Sequence, residues 1–266
     1  MKNILLILTI FIINTSLLAQ SKDSTLNYTD INKQKQGHWQ KKYKNGKIAY
    51  DCYFVNDKPV GPYKRYYATG KLKMEAVYNK NQEAYAKLYW DNGKLMAEGK
   101  YVNVNVRDSL WKMYAVDGKL MLTIEYNKGK KNGKEISYFR NGQINELKTW
   151  KNDTLHGPWL WYYHTGTPRL KANYVNGVRE GYYMYYHQDG STYISGYYKN
   201  DLRDGKWKFN YLDKSLNKTI IYHNGKAENQ DELDREETKT IEEWEKMRGK
   251  IPEPTFEDFM YGPRRR

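Results

Sequence analysis

One cysteine, Cys52, stands among 266 residues. No disulfide can therefore form within the chain, and no cysteine cluster exists to hold a metal. An unpaired thiol in an exported protein is either buried or reactive; the pattern below puts Cys52 in the core. Phenylalanine is scarce, with 6 residues against 27 tyrosines. Tyrosine joins apolar area to a hydroxyl that can stay wet, which predicts a thin, half-exposed sheet rather than a thick sealed core. Catalytic signatures are missing too. The chain has no Gly-x-Ser-x-Gly elbow and no phosphate-cradling Gly-x-x-x-x-Gly-Lys-Ser/Thr loop. His38, His156, His164, His187 and His223 show no ligand spacing. His164 and His187 fall at nearly one position of successive units, two strands or about 10 Å apart, so solvated histidines are expected. Carboxylates are plentiful, but no pair can be given an acid or base role. The expectation is a non-enzyme with no catalytic residue, no metal and no cofactor.

Long apolar runs are absent except at the start. Ile4–Ile13 is shorter than the roughly 20 residues of a spanning helix. Preceded by Lys2 and followed by Ser16-Leu17-Leu18-Ala19, it reads as a secretory leader over 1–19. No cysteine follows the predicted cut directly, which argues against a lipid anchor. Export to the periplasm, the cell surface or the exterior is expected. Formal charge is +14, yet from Lys226 onward nine basic residues meet twelve acidic ones, so the body is more basic than the whole. Such a body attracts acidic partners: an anionic membrane surface, an acidic polysaccharide or an acidic protein, with nucleic acid last for an exported chain.

What the chain has is a period. Asn45-Gly46, Thr69-Gly70, Asn92-Gly93, Asp117-Gly118, Asn141-Gly142, Thr165-Gly166 and Asp189-Gly190 recur. Nine residues before each lies a unit start: Gly37, Gly61, Ala84, Ser109, Gly133, Gly157 and Gly181, with Gly205 opening an eighth. The steps are 24, 23, 25, 24, 24, 24 and 24. A second turn set follows at Asn56-Asp57, Asn152-Asp153, Asn176-Gly177, Asn200-Asp201 and Asn224-Gly225. These dipeptides suit type I′ turns. Two turns per unit predict an all-β antiparallel meander of about eight hairpin repeats over 37–225, some sixteen strands, elongated and curved.

Two-residue loops would place equidistant residues opposite each other. One face then pairs Trp39 with Cys52, Tyr63 with Ala76, Trp159 with Ala172 and Tyr183 with Gly196. It also pairs Met113 with Leu122, Trp161 with Leu170, Tyr67 with Leu72 and Trp90 with Leu95. A late aromatic joins it in each unit, at Phe54, Tyr78, Tyr101, Tyr126, Trp150, Tyr174, Tyr198 and Tyr222. The opposite face sets Lys64 against Glu75 and Lys87 against Glu98. A slip of one residue would scatter this agreement. Units three, five and eight depart from it, with Ala84 and Ala86, with Glu135 and Lys148, and with Asp213-Lys214.

These units, such as Gly157-Pro158-Trp159-Leu160-Trp161-Tyr162-Tyr163-His164-Thr165-Gly166 followed by Tyr174-Val175-Asn176-Gly177, resemble the variant MORN repeat of bacteria. The likeness covers about Gly37 to Gly225. It implies a hairpin-repeat fold and a protein- or lipid-binding scaffold, and proteins of this kind are commonly labelled antitoxins. It brings no catalytic residue.

The flanks differ from the body. Residues 20–36 read as a linker or first edge strand. Residues 226–250 read as a charged helix, with Leu233, Ile241, Trp244 and Met247 roughly on one side, that could cap the last hairpin. Residues 251–266 read as an irregular tail. On the face opposite the large-small pairs, Tyr66, Tyr89, Tyr114, Tyr138, Tyr162 and Tyr186 form a ladder with Lys64, Lys87 and Lys112 beside it. This is the candidate binding track, for a protein or an acidic or carbohydrate envelope ligand. An antitoxin-like inhibitor and a peripheral binder of anionic membranes are the alternatives, and the same tyrosines could simply stiffen the sheet.

Overall fold

The structure is a computed structural model and describes residues 26–248. The expected leader and tail lie outside the described residues. One antiparallel sheet of 19 strands runs as an open meander, each hairpin pairing with its neighbours in chain order. Sixteen long strands form the eight hairpins. The other three are two-residue pieces: Tyr28–Thr29 at the first edge, Val178–Arg179 beside a bulge, and Lys226–Ala227 at the far end.

The two turn sets are different turns. In the second set both central residues are left-handed, as at Asn56 and Asp57 (φ +50° and +63°) and Asn176 and Gly177 (+51° and +84°). These are the expected two-residue type I′ loops, closing on pairs such as Val55–Lys58. In the first set only the glycine is left-handed, for example Gly70 at +89°. Tyr67 N donates to Lys71 O, and Gly70 N to Tyr67 O, each at 2.8 Å. This is a three-residue loop with a bulge, and it corrects the expected type I′ geometry. The bulge absorbs one residue. Arg65 still meets Met74, but Leu72 meets Tyr66 and Leu95 meets Tyr89, in place of Tyr67 and Trp90. The other six pairs on that face stand in the expected register.

The irregular steps have a backbone cause. At most unit starts a left-handed residue bulges the strand, as Gly61 does at φ +67° between Tyr53–Val60 and Cys52–Tyr63. Ala84 carries no such bulge. Strands Leu72–Tyr78 and Ala84–Tyr89 pair without interruption, which shortens that step by one. The next loop holds three residues between Val102 and Val106, which restores it. In the eighth hairpin, Asp213 caps a single 3-10 turn over Lys214–Leu216.

One face, here the ring face, carries the core. Trp39, Cys52, Tyr63, Ala76 and Ala86 lie in register on successive strands. Within the first two hairpins large faces small, Trp39 against Cys52 and Tyr63 against Ala76. Trp111 and Trp207 are 0% exposed, and rest on Gly99 and Gly196. Cys52 is 1% exposed, and burial pushes its thiol up to about 12. In the fifth unit Glu135 faces Lys148. There Lys131 pairs with Glu135 at 2.5 Å and Lys148 with Glu146 at 2.9 Å, while Trp159 Nε1 donates to Glu146 at 2.6 Å.

A single-layer sheet needs a lid over its rings, and cations supply it. Two residues before a unit start, Lys35 lies 5.0 Å from the Trp39 ring, Arg107 5.0 Å from Trp111, Arg179 4.2 Å from Tyr198 and Arg203 4.8 Å from Trp207. Each such contact contributes roughly 0.5–2 kcal/mol, and the aliphatic stem shields the ring from water.

A second device joins unit to unit. In five of the seven first turns the opening residue reaches the main chain of the next hairpin. Tyr43 Oη donates to Tyr66 O at 2.7 Å, Tyr67 to Tyr89 O at 2.7 Å, Trp90 Nε1 to Tyr114 O at 3.3 Å and Tyr163 to Tyr186 O at 2.8 Å. His187 contacts Asn210 O at 2.8 Å. Ala115 and Phe139 occupy this position elsewhere and have no donor. The excess of tyrosine over phenylalanine thus has a structural use.

At the last hairpin the first two turns of the helix Gln230–Met247 touch the ring face. Leu233 packs against the cluster of Tyr198, Trp207, Ile220, Tyr222 and Ala227, and Glu236 pairs with Lys218 at 2.7 Å. Ile241, Trp244 and Met247 stay exposed.

Candidate binding face

The other face, the ladder face, is the one left to solvent. Its central row can be followed from strand to strand: Asp51, Lys64, Glu75, Lys87, Glu98 and Lys112 are successive cross-strand partners. The two lysine–glutamate pairs expected within hairpins are joined by Glu75 with Lys87 and Glu98 with Lys112 between hairpins. Lys64, Lys87 and Lys112 therefore form no basic strip; carboxylates separate them. Past Thr123 the row turns apolar at Ile136, Leu147 and Leu160, then mixed through Lys171, Met184, Ser195 and Lys208.

The six ladder tyrosines lie beside this row, all half-buried. Tyr89 donates to Glu75 Oε1 at 2.5 Å and Tyr114 to Glu98 Oε1 at 2.8 Å. Burial first, then the adjacent carboxylate, pushes both phenols up to about 12. These two hydroxyls fix the carboxylates. Tyr186 instead contacts Met184 Sδ at 3.0 Å, with Lys171 Nζ 5.5 Å from its ring. Of the lysines at the turns, Lys47 and Lys119 donate to carbonyls of the next turn, Thr69 O and Arg140 O. They serve stacking.

The site residues that sequence reasoning missed lie in the seventh and eighth units. A depression of about 420 Å³ is lined by Tyr182, Met184, Ser195, Tyr197, Asp204, Lys206 and Lys208 among others. Tyr182 is 74% exposed and stands edge-on to Tyr197, ring centroids 5.5 Å apart. Strand parity was the available signal: Tyr182 and Tyr183 are neighbours, so they must face opposite ways.

Histidine chemistry does not gather here. His38 pairs with Asp51 at 2.8 Å and His223 with Glu228 at 2.7 Å. His156 Nδ1 accepts from Asn176 N at 3.3 Å. With the His187 contact, four of the five are hydrogen-bonded rather than only solvated, as had been expected; the donors and acceptors come from adjacent turns and strands. Among the described residues no group of three or more potential ligands converges on a metal position.

Comparison with known families matches residues 35–56, 59–80, 82–103, 131–152 and 155–176 to the MORN repeat variant. No curated protein matches the chain.

Proposed function

The chain is a MORN-variant repeat protein, and from that premise we propose that it is an exported, non-enzymatic scaffold holding a protein partner on its ladder face. Repeats of this class are in general protein- or membrane-binding and typically non-enzymatic. The observation that carries the reading is the depression over the last two units. There the solvent-facing Tyr182 and Tyr197 stand beside Lys206, Lys208 and Asp204. Exposed tyrosine with charge of both signs suits a protein interface, where aromatic anchors carry most of the energy. The mixed charge fits an acidic polymer less well, because the carboxylates along the row repel it. Neutralisation of a toxin would be one form of the same binding. The apolar run over 4–13 and the small-residue end at Ala19 support export.

The test is affinity capture from envelope extract by the native chain and by a Tyr182→Ala/Lys206→Glu variant. We expect recovery of the bound protein to fall about tenfold or more, equivalent to about 1.4 kcal/mol. Equal recovery by a folded variant would remove this face from the proposal. Association with anionic vesicles that fades as salt is raised would point to a membrane surface instead.

A further inference from the structure

We propose that the ladder face over the first to fourth units is a homodimer interface, related by a twofold axis parallel to the strands between Leu72–Tyr78 and Ala84–Tyr89. The inference rests on reading this face as protein-binding and names the occupant of one part of it, a second copy of the chain.

The row of charges carries the argument. From Asp51 to Lys112 the signs run minus, plus, minus, plus, minus, plus on consecutive strands. This order is antisymmetric about the gap between Glu75 and Lys87. A twofold axis through that gap sets Glu75 against Lys87 of the partner subunit, Lys64 against Glu98 of the partner subunit and Asp51 against Lys112 of the partner subunit. Every charge then meets its opposite, and each pairing occurs twice. A uniformly acidic ligand would meet Asp51, Glu75 and Glu98, and a uniformly basic one the lysines. The fitting surface alternates sign at the strand spacing of about 4.8 Å, and the same row reversed does so.

Shape agrees with charge at the axis. Val77 and Tyr85 are cross-strand partners on this face, 67% and 55% exposed. They border a depression of about 210 Å³ shared with Pro62, Lys64, Glu75 and Lys87. The axis places Tyr85 of the partner subunit over Val77, so each copy inserts a ring into the other's depression. Such a contact is isologous and closes after two copies. The eight strands from Lys35–Lys42 to Leu120–Asn127 offer roughly 700 Å² per copy at that spacing, near the ~800 Å² per partner of a standard interface. Tyr89 and Tyr114 hold Glu75 and Glu98 in place beforehand, which lowers the ordering cost of association. The later units overhang on either side, so the depression at Tyr182 stays open in both copies.

Analytical ultracentrifugation of the purified protein as cells produce it tests this. We expect a species of twice the chain mass that dissociates as salt is raised. Glu75→Lys alone and Lys87→Glu alone each oppose like charges at the axis, and each should sediment as a monomer. Mixed in equal amounts they restore every opposite pair and should dimerise. Tyr85→Ala, which leaves the charges intact, should weaken self-association at least tenfold. A monomeric native protein in the micromolar range, or two folded charge variants that stay monomeric when mixed, overturns the inference. Capture through Tyr182 would survive that outcome, so loss of the dimer and loss of the general binding reading are distinguishable.

Discussion

Gly196 lies under Trp207 with no room for a methyl group. A Cβ built there would fall within 2.6 Å of three indole carbons, Cδ2, Cε2 and Cγ, where carbon pairs prefer about 3.5–4.0 Å. The ring is 0% exposed and also packs edge-on against Tyr198, centroids 4.9 Å apart, beneath Arg203. Gly196→Ala must therefore lift a fully enclosed indole by about 1 Å. Overpacking of this kind costs about 1–3 kcal/mol. Gly196 has no left-handed φ, so alanine adds no backbone strain and recovers roughly 0.4–1 kcal/mol of unfolded-chain entropy. The net destabilisation expected is about 1–2 kcal/mol, a fall in Tm of roughly 2–8 °C for a chain of this size. Urea unfolding followed by far-ultraviolet circular dichroism measures it. Gly99→Ala, beneath Trp111, should behave alike and add independently. The signature that separates ring displacement from a general glycine effect is rescue: in a Trp207→Leu background, the penalty of Gly196→Ala should vanish. An unchanged or higher urea midpoint for Gly196→Ala in the native background refutes the stacking argument.

Other consequences are open to direct measurement. Tyr163→Phe removes the bond to Tyr186 O and should cost about 0.5–1.5 kcal/mol in denaturant unfolding, whereas Phe139→Tyr should supply a missing link and stabilise by a similar or smaller amount. Tyr78, Tyr89 and Tyr114 titrate near 12 in the fold, chiefly through burial, against an ordinary 10.0. The folded chain then keeps protons that the unfolded chain has already lost, so this stabilisation is complete below pH 10.0 and is lost as pH rises through about 12. A urea midpoint that stays level across that window contradicts the assignment. The Cys52 thiol, buried and raised to about 12, should resist a disulfide reagent in native buffer and react on unfolding; rapid native labelling would place it elsewhere.

The alternation of hydrophobic character and the glycine period made the hairpins and the ring face legible, because strand parity leaves each side chain only two directions. The type of each turn was less legible. Asn-Gly fits a two-residue loop and also a three-residue loop ending in a bulge; around Asn92-Gly93, Tyr89 opposite Leu95 records the difference. Pairing inside a hairpin followed from its turn, so Lys64 with Glu75 could be read. The pairing of Glu75 with Lys87 depends on the unbulged junction at Ala84, and the continuous charge row was therefore missed. Position within the period could have revealed the cations at Lys35, Arg107, Arg179 and Arg203. They recur two residues before a unit start, but lysine and arginine there look like ordinary surface charge until the rings beneath them are placed.

The links from Tyr43, Tyr67 and Tyr163 end on main-chain carbonyls, those of Tyr66, Tyr89 and Tyr186. A carbonyl is present whatever side chain its residue bears. Adhesion between neighbouring repeats is thus insulated from the chemistry displayed at the ladder positions. Substitution there can retarget what the surface recognises while these joints between repeats remain intact.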